Sequence, residues 1–188
     1  MNNDFKLASD WVKDTVPLQI DEKYHCATRD IFQSRLDLML NFLLSNTKIT
    51  ENDVYIMSAI AGEIGNNSFD HNLGNWPDIA GIFFSYEVDD EKLEIVLADR
   101  GQGVFKTLKR VKPELKDDLE ALFTAFNEKI SGRAPEDRGN GLKFVKESIR
   151  QTKSHLVFLS GKAKAELNDQ IEIEKNEEIS GCLAVISN

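Results

Sequence analysis

The sequence predicts an α+β fold, a two-layer α/β sandwich in which helices pack on one face of a mixed, mostly antiparallel sheet. Three observations support this prediction. Segments with apolar residues at helical spacing stand beside strand-like apolar runs, and the strand-like runs come mostly in pairs joined by short polar turns. No Gly/Ser/Pro linker and no internal repeat divides the 188 residues. Hairpin-connected strands beside helices are typical of α+β domains.

Two long helices are predicted in the first half of the chain. Residues 1–27 are poorly patterned, with a short strand expected near residues 18–20, and we interpret 1–35 as an N-terminal extension that packs on the main domain, 36–188. Apolar spacing predicts a helix over residues 28–45. Thr50, followed by Asp53, is typical of a helix start, and this second helix should run to about residue 72.

Strands are predicted next, at residues 79–88 and 93–98, with the acidic residues 89–91 as their turn. A glycine turn at 99–103 is followed by a helix from about 117 to 128, a polar loop over 131–138 and a helix over 139–153. The remaining residues predict a strand at 156–160, a hairpin that turns at 168–169 and a closing strand at 183–186.

The composition is that of a globular protein. Apolar residues make up 41% of the chain, and the formal net charge of −9 argues against nucleic acid or an anionic membrane as the main partner. The N-terminus lacks the features of a signal peptide, and the most apolar stretch, residues 36–44, is too short to span a bilayer. Cys26 and Cys182 have no metal-ligand spacing. We expect a cytoplasmic protein with two reduced thiols.

The helix predicted over residues 50–72 changes character along one face. At 100° per residue, Ile56, Ile60, Glu63, Asn67 and His71 fall on one stripe, apolar in its first half and polar in its second. Unpaired polar groups are costly in a core, so this face either emerges into solvent or forms the floor of a polar cavity. An Asn there can supply a neutral oxygen to Mg²⁺, and a Glu one turn earlier can orient or deprotonate a water or hydroxyl.

Two glycine segments have the composition of ligand-binding turns. Asp99 ends a predicted strand and precedes Gly101 and Gly103, which suits a turn close to a ligand, with the carboxylate free to accept a hydrogen bond from an exocyclic amine. Residues 139–141 open a helix, whose unsatisfied N–H groups suit phosphate. Neither segment is a Walker or dinucleotide-binding motif. Taken alone, residues 99–103 fit an ordinary glycine turn better than a binding site, and residues 139–141 fit an ordinary helix start equally well.

In this order, the three segments resemble the ATP-site motifs of the GHKL superfamily, which includes gyrase, the large heat-shock chaperones, histidine kinases and mismatch-repair MutL. Residues 63–71 (EIGNNSFDH) are similar to the N box, residues 99–103 (DRGQG) to the Asp-x-Gly-x-Gly box and residues 138–142 (RGNGL) to the second glycine box. Residues 181–186 are similar to the final strand. The resemblance covers about residue 36 to the end and implies the Bergerat ATP-binding fold.

The resemblance implies ATP and Mg²⁺ as ligands. Asn67 would bind Mg²⁺, Asp99 would take the adenine amino group, and Glu63 resembles the general base of the ATPase members. Gly101 and Gly103 would shape the adenine pocket, and residues 131–138 would form the lid. The other residues implied at the nucleotide site are Asp70, His71, Val104, Arg138, Gly139, Asn140, Gly141 and Leu142.

Departures from the family pattern leave the branch open. Asp137 stands where kinases usually have the first glycine of the second box. Residues 67–70 are similar to the gyrase and chaperone pattern, whereas His71 matches the histidine of many kinases. His25 is not followed by the residues expected after a phosphoacceptor histidine, so we interpret it as a surface or packing residue. At this length no transducer domain is expected.

Three functions therefore remain. The leading hypothesis is a stand-alone ATP-binding regulatory domain that resembles the anti-sigma-factor serine kinases and phosphorylates a regulatory protein partner. The alternative is an ATPase whose turnover drives a partner. The third is a non-catalytic module, in which ATP orders the lid and changes a binding surface. The sequence does not identify the partner and leaves the oligomeric state open, a homodimer included.

Overall fold

The computed structural model describes residues 3–14, 19–130, 141–152 and 154–188. Its helices are α1 (Asn3–Lys13), α2 (Arg29–Asn46), α3 (Glu51–Asn72), α4 (Gly103–Lys109), α5 (Asp118–Asn127) and α6 (Gly141–Thr152). Its strands are β1 (His25–Cys26), β2 (Ile82–Val88), β3 (Leu93–Asp99), β4 (His155–Leu167) and β5 (Ile171–Ser187). The strands form one sheet in the order β1-β2-β3-β5-β4, and each neighbouring pair is antiparallel. The predicted α+β sandwich is confirmed.

Local signals placed the central elements correctly. Thr28 and Thr50 cap α2 and α3, each accepting a hydrogen bond at its hydroxyl from the N–H three residues on. Asp117 caps α5 in the same way. The predicted strands at 79–88 and 93–98 are β2 and β3, and the predicted turns at 89–91 and 168–169 join β2 to β3 and β4 to β5. The helix predicted over 139–153 is α6 within its described residues.

Other elements differ from the sequence prediction. Residues 3–13 form α1, where no helix was predicted, and the first strand lies at His25–Cys26 rather than near 18–20, of which residues 19 and 20 are described. β4 and β5 are long strands instead of two separated pairs. Gly161 has φ 58°, and the β4–β5 register shifts on both sides of it. The strand therefore continues through a bulge, which local patterning reads as a break.

The sheet buries both of its faces. On one face, residues 93, 95 and 97 of β3 join the main core, which also contains apolar residues from α2, α3, α5 and α6. On the other face, Val96 and Ala98 pack with Ala8, Trp11 and Val12 of α1, all fully buried. The helix layer that carries the candidate site therefore lies on the main-core face, and α1 covers part of the opposite face.

Two glycines of α3 let α2 pack closely against it. A Cβ at Gly65 would lie 2.3 Å from the ring of Phe32, and one at Gly62 would lie 3.2 Å from a methyl group of Leu36. The Phe32 ring is itself held by an edge-on contact with Phe84, with the ring centroids 5.4 Å apart. This packing sets how deeply α3 lies in the core, and hence where its polar residues face.

We expect Gly65→Ala to destabilise the protein by about 1–3 kcal/mol, because the added methyl group overpacks a ring that has no room to move. Urea unfolding measures this change. Gly62→Ala is the matched control, since the same gain in helix propensity there meets only the flexible end of one leucine. Equal stability of the two variants would contradict this account of the α2–α3 contact.

Candidate functional site

The first half of the site is the contact between α3 and the start of α6. Asn67 Nδ2 donates a hydrogen bond to Glu63 Oε1 at 3.1 Å. A Cβ at Gly141, the first residue of α6, would lie 2.0 Å from that Glu63 oxygen and 3.0 Å from Asn67 Nδ2. A Cβ there would displace the Glu63 side chain, so glycine at 141 lets a helix N-terminus, with its unsatisfied N–H groups and partial positive charge, lie against the two polar side chains.

The second half of the site is the end of β3, where Asp99 is joined to α3. Ser68 Oγ donates to Asp99 Oδ2 at 2.7 Å, and the Gly101 N–H donates to Oδ1 at 2.7 Å. Asp99 is only 2% exposed. The sequence analysis expected a carboxylate that is free to accept a hydrogen bond from a ligand. In the structure this carboxylate is buried and already hydrogen-bonded to the protein. Asn72 and the Cys182 N–H are further donors to this carboxylate, so a ligand that bonds to Asp99 would share its oxygens with these groups.

Burial raises the pKa of Asp99, because the charged carboxylate loses hydration that its hydrogen bonds from Ser68, Gly101 and Asn72 only partly replace. The neighbouring thiol of Cys182 has a pKa well above its usual range, for the same reason and because the Asp99 charge is close. A thiol with so high a pKa is a poor nucleophile. Both cysteines are free thiols.

Asn72 holds the glycine turn at residues 99–103 against the C-terminal end of α3. Its Oδ1 accepts from the Gln102 N–H at 2.8 Å, and its Nδ2 donates to the Ser68 carbonyl at 2.8 Å. A Cβ at Gly101 would lie 2.0 Å from Asn72 Nδ2. Sequence reasoning missed both Ser68 and Asn72. The available signal was their spacing of four residues on the polar half of the same helix.

The last strand closes the turn from the other side. Gly181, with φ 71°, lies so close that a Cβ there would be 2.0 Å from the Asp99 carbonyl oxygen. The hydroxyl of Ser160 accepts from the Val104 N–H at 2.9 Å and donates to the Gly181 carbonyl at 3.1 Å. Sequence similarity pointed to the final strand but not to these two contacts, which depend on the pairing of β4 with β5.

The remaining predicted residues divide into three groups. Val104 and Leu142 are partly buried against the main core. Asp70 forms an ion pair with Arg29, and the His71 carbonyl accepts from Gln102 Nε2 at 2.9 Å. Arg138, Gly139, Asn140, Asp137 and the predicted lid at 131–138 lie outside the described residues. His25 Nε2 lies within hydrogen-bonding distance of the Ala80 carbonyl oxygen, at 3.0 Å.

Among the described residues, no cluster of three or more His, Cys, Asp or Glu side chains is arranged to hold a metal ion. Mg²⁺ bound through one amide oxygen, waters and phosphate oxygens does not require such a cluster. Within the same residues, no helix has the length and apolar character needed to cross a membrane.

Comparison with known proteins leaves the function open. No protein-family model matches the chain, and no curated protein matches it. The GHKL resemblance therefore rests on the three motifs.

We expect the unfolding free energy of the wild type, relative to Asp99→Asn, to fall as pH rises from about 4 to the raised pKa of Asp99. In this range the native state keeps a proton that the unfolded chain has lost, so the slope is at most about 1.4 kcal/mol per pH unit. Above the raised pKa the difference is constant. Urea titrations at a series of pH values measure it.

The control is Asp89→Asn. Hydrogen bonds from the Glu91 and Lys92 N–H groups lower the pKa of Asp89, so its contribution is lost only as pH falls below about 4. Parallel curves for the two variants from about pH 4 upward would contradict a raised pKa at Asp99.

Proposed function

We propose that this protein is a Mg²⁺-dependent, ATP-binding regulatory domain of the GHKL type. One observation carries the proposal: described residues of three motifs that are far apart in the sequence meet along the polar half of α3. Gly141 packs on Glu63 and Asn67, and Ser68 bonds Asp99. A helix N-terminus beside a polar amide at one end, and a buried carboxylate beside a glycine turn at the other, suit the phosphate and base ends of a nucleotide.

The chemistry of the donor set fits Mg²⁺ and ATP. Since Asn67 Nδ2 is committed to Glu63, its Oδ1 is the atom that would bind the hard cation. The backbone at Gly141 and Leu142 would face phosphate, and Asp99 with the turn at 99–103 would receive the adenine amino group. Bound MgATP would supply the phosphoryl group that is transferred.

We favour a catalytic role over binding alone, because Asn67 fixes the orientation of the Glu63 carboxylate. A fixed carboxylate one helical turn from the cation ligand is suited to take the proton of an attacking hydroxyl or water. A hydroxyl of a regulatory protein partner would make the protein a kinase of the anti-sigma-factor type. Water would make it an ATPase that drives a partner. The acidic charge favours a protein partner over nucleic acid or membrane, and we place the protein in the cytoplasm.

Calorimetry tests binding. We expect wild type to bind ATP more tightly with Mg²⁺ than without it, and Asn67→Ala to lose at least tenfold in affinity in the presence of Mg²⁺, about 1.4 kcal/mol. Asn66→Ala is the matched control, because residue 66 lies 100° away around α3. The absence of ATP binding by wild type, or equal losses in both variants, would reject the proposed site.

A second experiment separates the catalytic roles. We expect Glu63→Gln to keep ATP affinity within a few fold and to lose about 10²–10⁴-fold of its turnover, because a general base is removed while the site keeps its shape. Labelled ATP is incubated with the protein, with and without cell lysate, and both phosphoprotein and free phosphate are measured. Glu51→Gln, at the exposed start of α3, is the control.

A labelled protein that depends on Glu63 identifies a kinase, and phosphate release without lysate identifies an ATPase. Neither product, together with ATP-dependent capture of a partner, would instead indicate a nucleotide-gated interaction module.

A further inference from the structure

Arg100 lies inside the glycine turn at residues 99–103, but its side chain points to the face of the sheet that α1 covers, away from α3. Asp99 bonds to Ser68 of α3 on the main-core face, whereas Arg100 Nη1 donates to the Trp11 carbonyl of α1 on the other face. Successive residues of an extended strand point to opposite sides, so the end of β3 presents one charged side chain to each layer. The Arg100 side chain is 3% exposed.

A buried guanidinium of this kind depends on its partners. Arg100 Nε and Nη2 donate to Asp78 Oδ2 at 2.9 and 2.7 Å, and Nη1 donates to the Trp11 carbonyl. Removing one partner of a buried pair is costly, because the remaining charge is left without compensation. The position of Arg100, and with it the peptide between residues 99 and 101, therefore depends on the loop at Asp78 and on α1.

The α3 side of the turn is held just as closely. Within four residues of Arg100, the Gly101, Gln102 and Val104 N–H groups donate to the side chains of Asp99, Asn72 and Ser160. A displacement of Arg100 cannot be absorbed locally, since its neighbours on both sides are bonded. It must change these three bonds.

Helix α1 is the element that can move. It has 11 residues, which is too short for a stable isolated helix, so it is helical because Ala8, Trp11 and Val12 are buried on the sheet. Its side-chain bonds include the Tyr24 hydroxyl to Asp4 at 2.8 Å and the exposed Lys13–Glu177 ion pair at 2.9 Å.

We infer that Arg100 is a positioning residue that couples docking of α1 to the shape of the 99–103 turn, so that the N-terminal helix regulates affinity at the candidate site. The regulatory part of this inference rests on the proposed nucleotide-binding function. By thermodynamic linkage, a nucleotide that stabilises the turn also stabilises docked α1, by the same factor.

The first experiment needs no nucleotide. Amide hydrogen exchange is measured at Gly101, Gln102 and Val104 in wild type, Arg100→Met and Ala8→Glu, the last of which undocks α1 without touching the turn. We expect exchange at these amides to be about tenfold faster in both variants. The double variant should be no faster than either single one, because both substitutions break the same link between α1 and the turn. Lys13→Ala, which removes only a surface pair of α1, should leave the rates unchanged.

Unchanged rates in either single variant, or additive effects in the double variant, would overturn the coupling. Should Arg100→Met fail to fold, Arg100→Lys serves instead, because lysine keeps the charge but cannot bond Asp78 twice and the Trp11 carbonyl together.

The second experiment uses nucleotide. The chain has two tryptophans, so Trp76→Phe leaves Trp11 as the only indole reporter on α1. We expect MgATP to protect Trp11 from acrylamide quenching, and Arg100→Met to weaken MgATP binding about tenfold and abolish that protection. MgATP binding without a change at Trp11 would overturn the inference. Absence of MgATP binding by wild type would instead remove the proposed function, and the exchange experiment would still decide the coupling between α1 and the turn.

Discussion

The buried carboxylate of Asp99 is the constraint on which the arrangement of the site depends. A carboxylate that loses its water must gain other donors, and this one gains the Ser68 hydroxyl and the Gly101 N–H. The first donor ties the end of β3 to α3, and the second curls the chain into the glycine turn. Satisfying one charge therefore brings together a helix, a strand end and a turn that are distant in sequence.

Close backbone approach is the second requirement, and glycines meet it at specific points. Gly181 lets β5 cross against Asp99, and Gly141 lets α6 begin against Glu63, where any Cβ would overlap the neighbouring oxygen. The carboxylate of Glu63 consequently lies near the positive end of a helix. In the proposed function, an incoming phosphate would share that helix end with Glu63, so nucleotide affinity and the position of the proposed base would be linked through α6.

The two layers of the protein also meet at this place. Residues 99 and 100 are adjacent in β3 and its turn, yet one is bonded to α3 and the other to α1. A site built on a strand end has this property because side chains alternate across a sheet. In the proposed regulation, α1 would therefore act on the site by moving the turn at residues 99–103, and the helix layer that contains α3 would not have to move.

The sequence by itself determined α2, α3, β2 and β3, because caps and apolar periodicity are local signals, and it placed Glu63 and Asn67 on one polar stripe. It did not reveal α1, whose helix depends on burying Trp11 against sheet residues such as Val96 and Ala98, which lie more than 80 positions later. Nor did it reveal Ser68, Asn72 and Gly181 as partners of the turn, since their roles exist only once α3, β3 and β5 are adjacent. Tertiary structure decided those contacts, because donor geometry and backbone approach depend on long-range packing that no local pattern encodes.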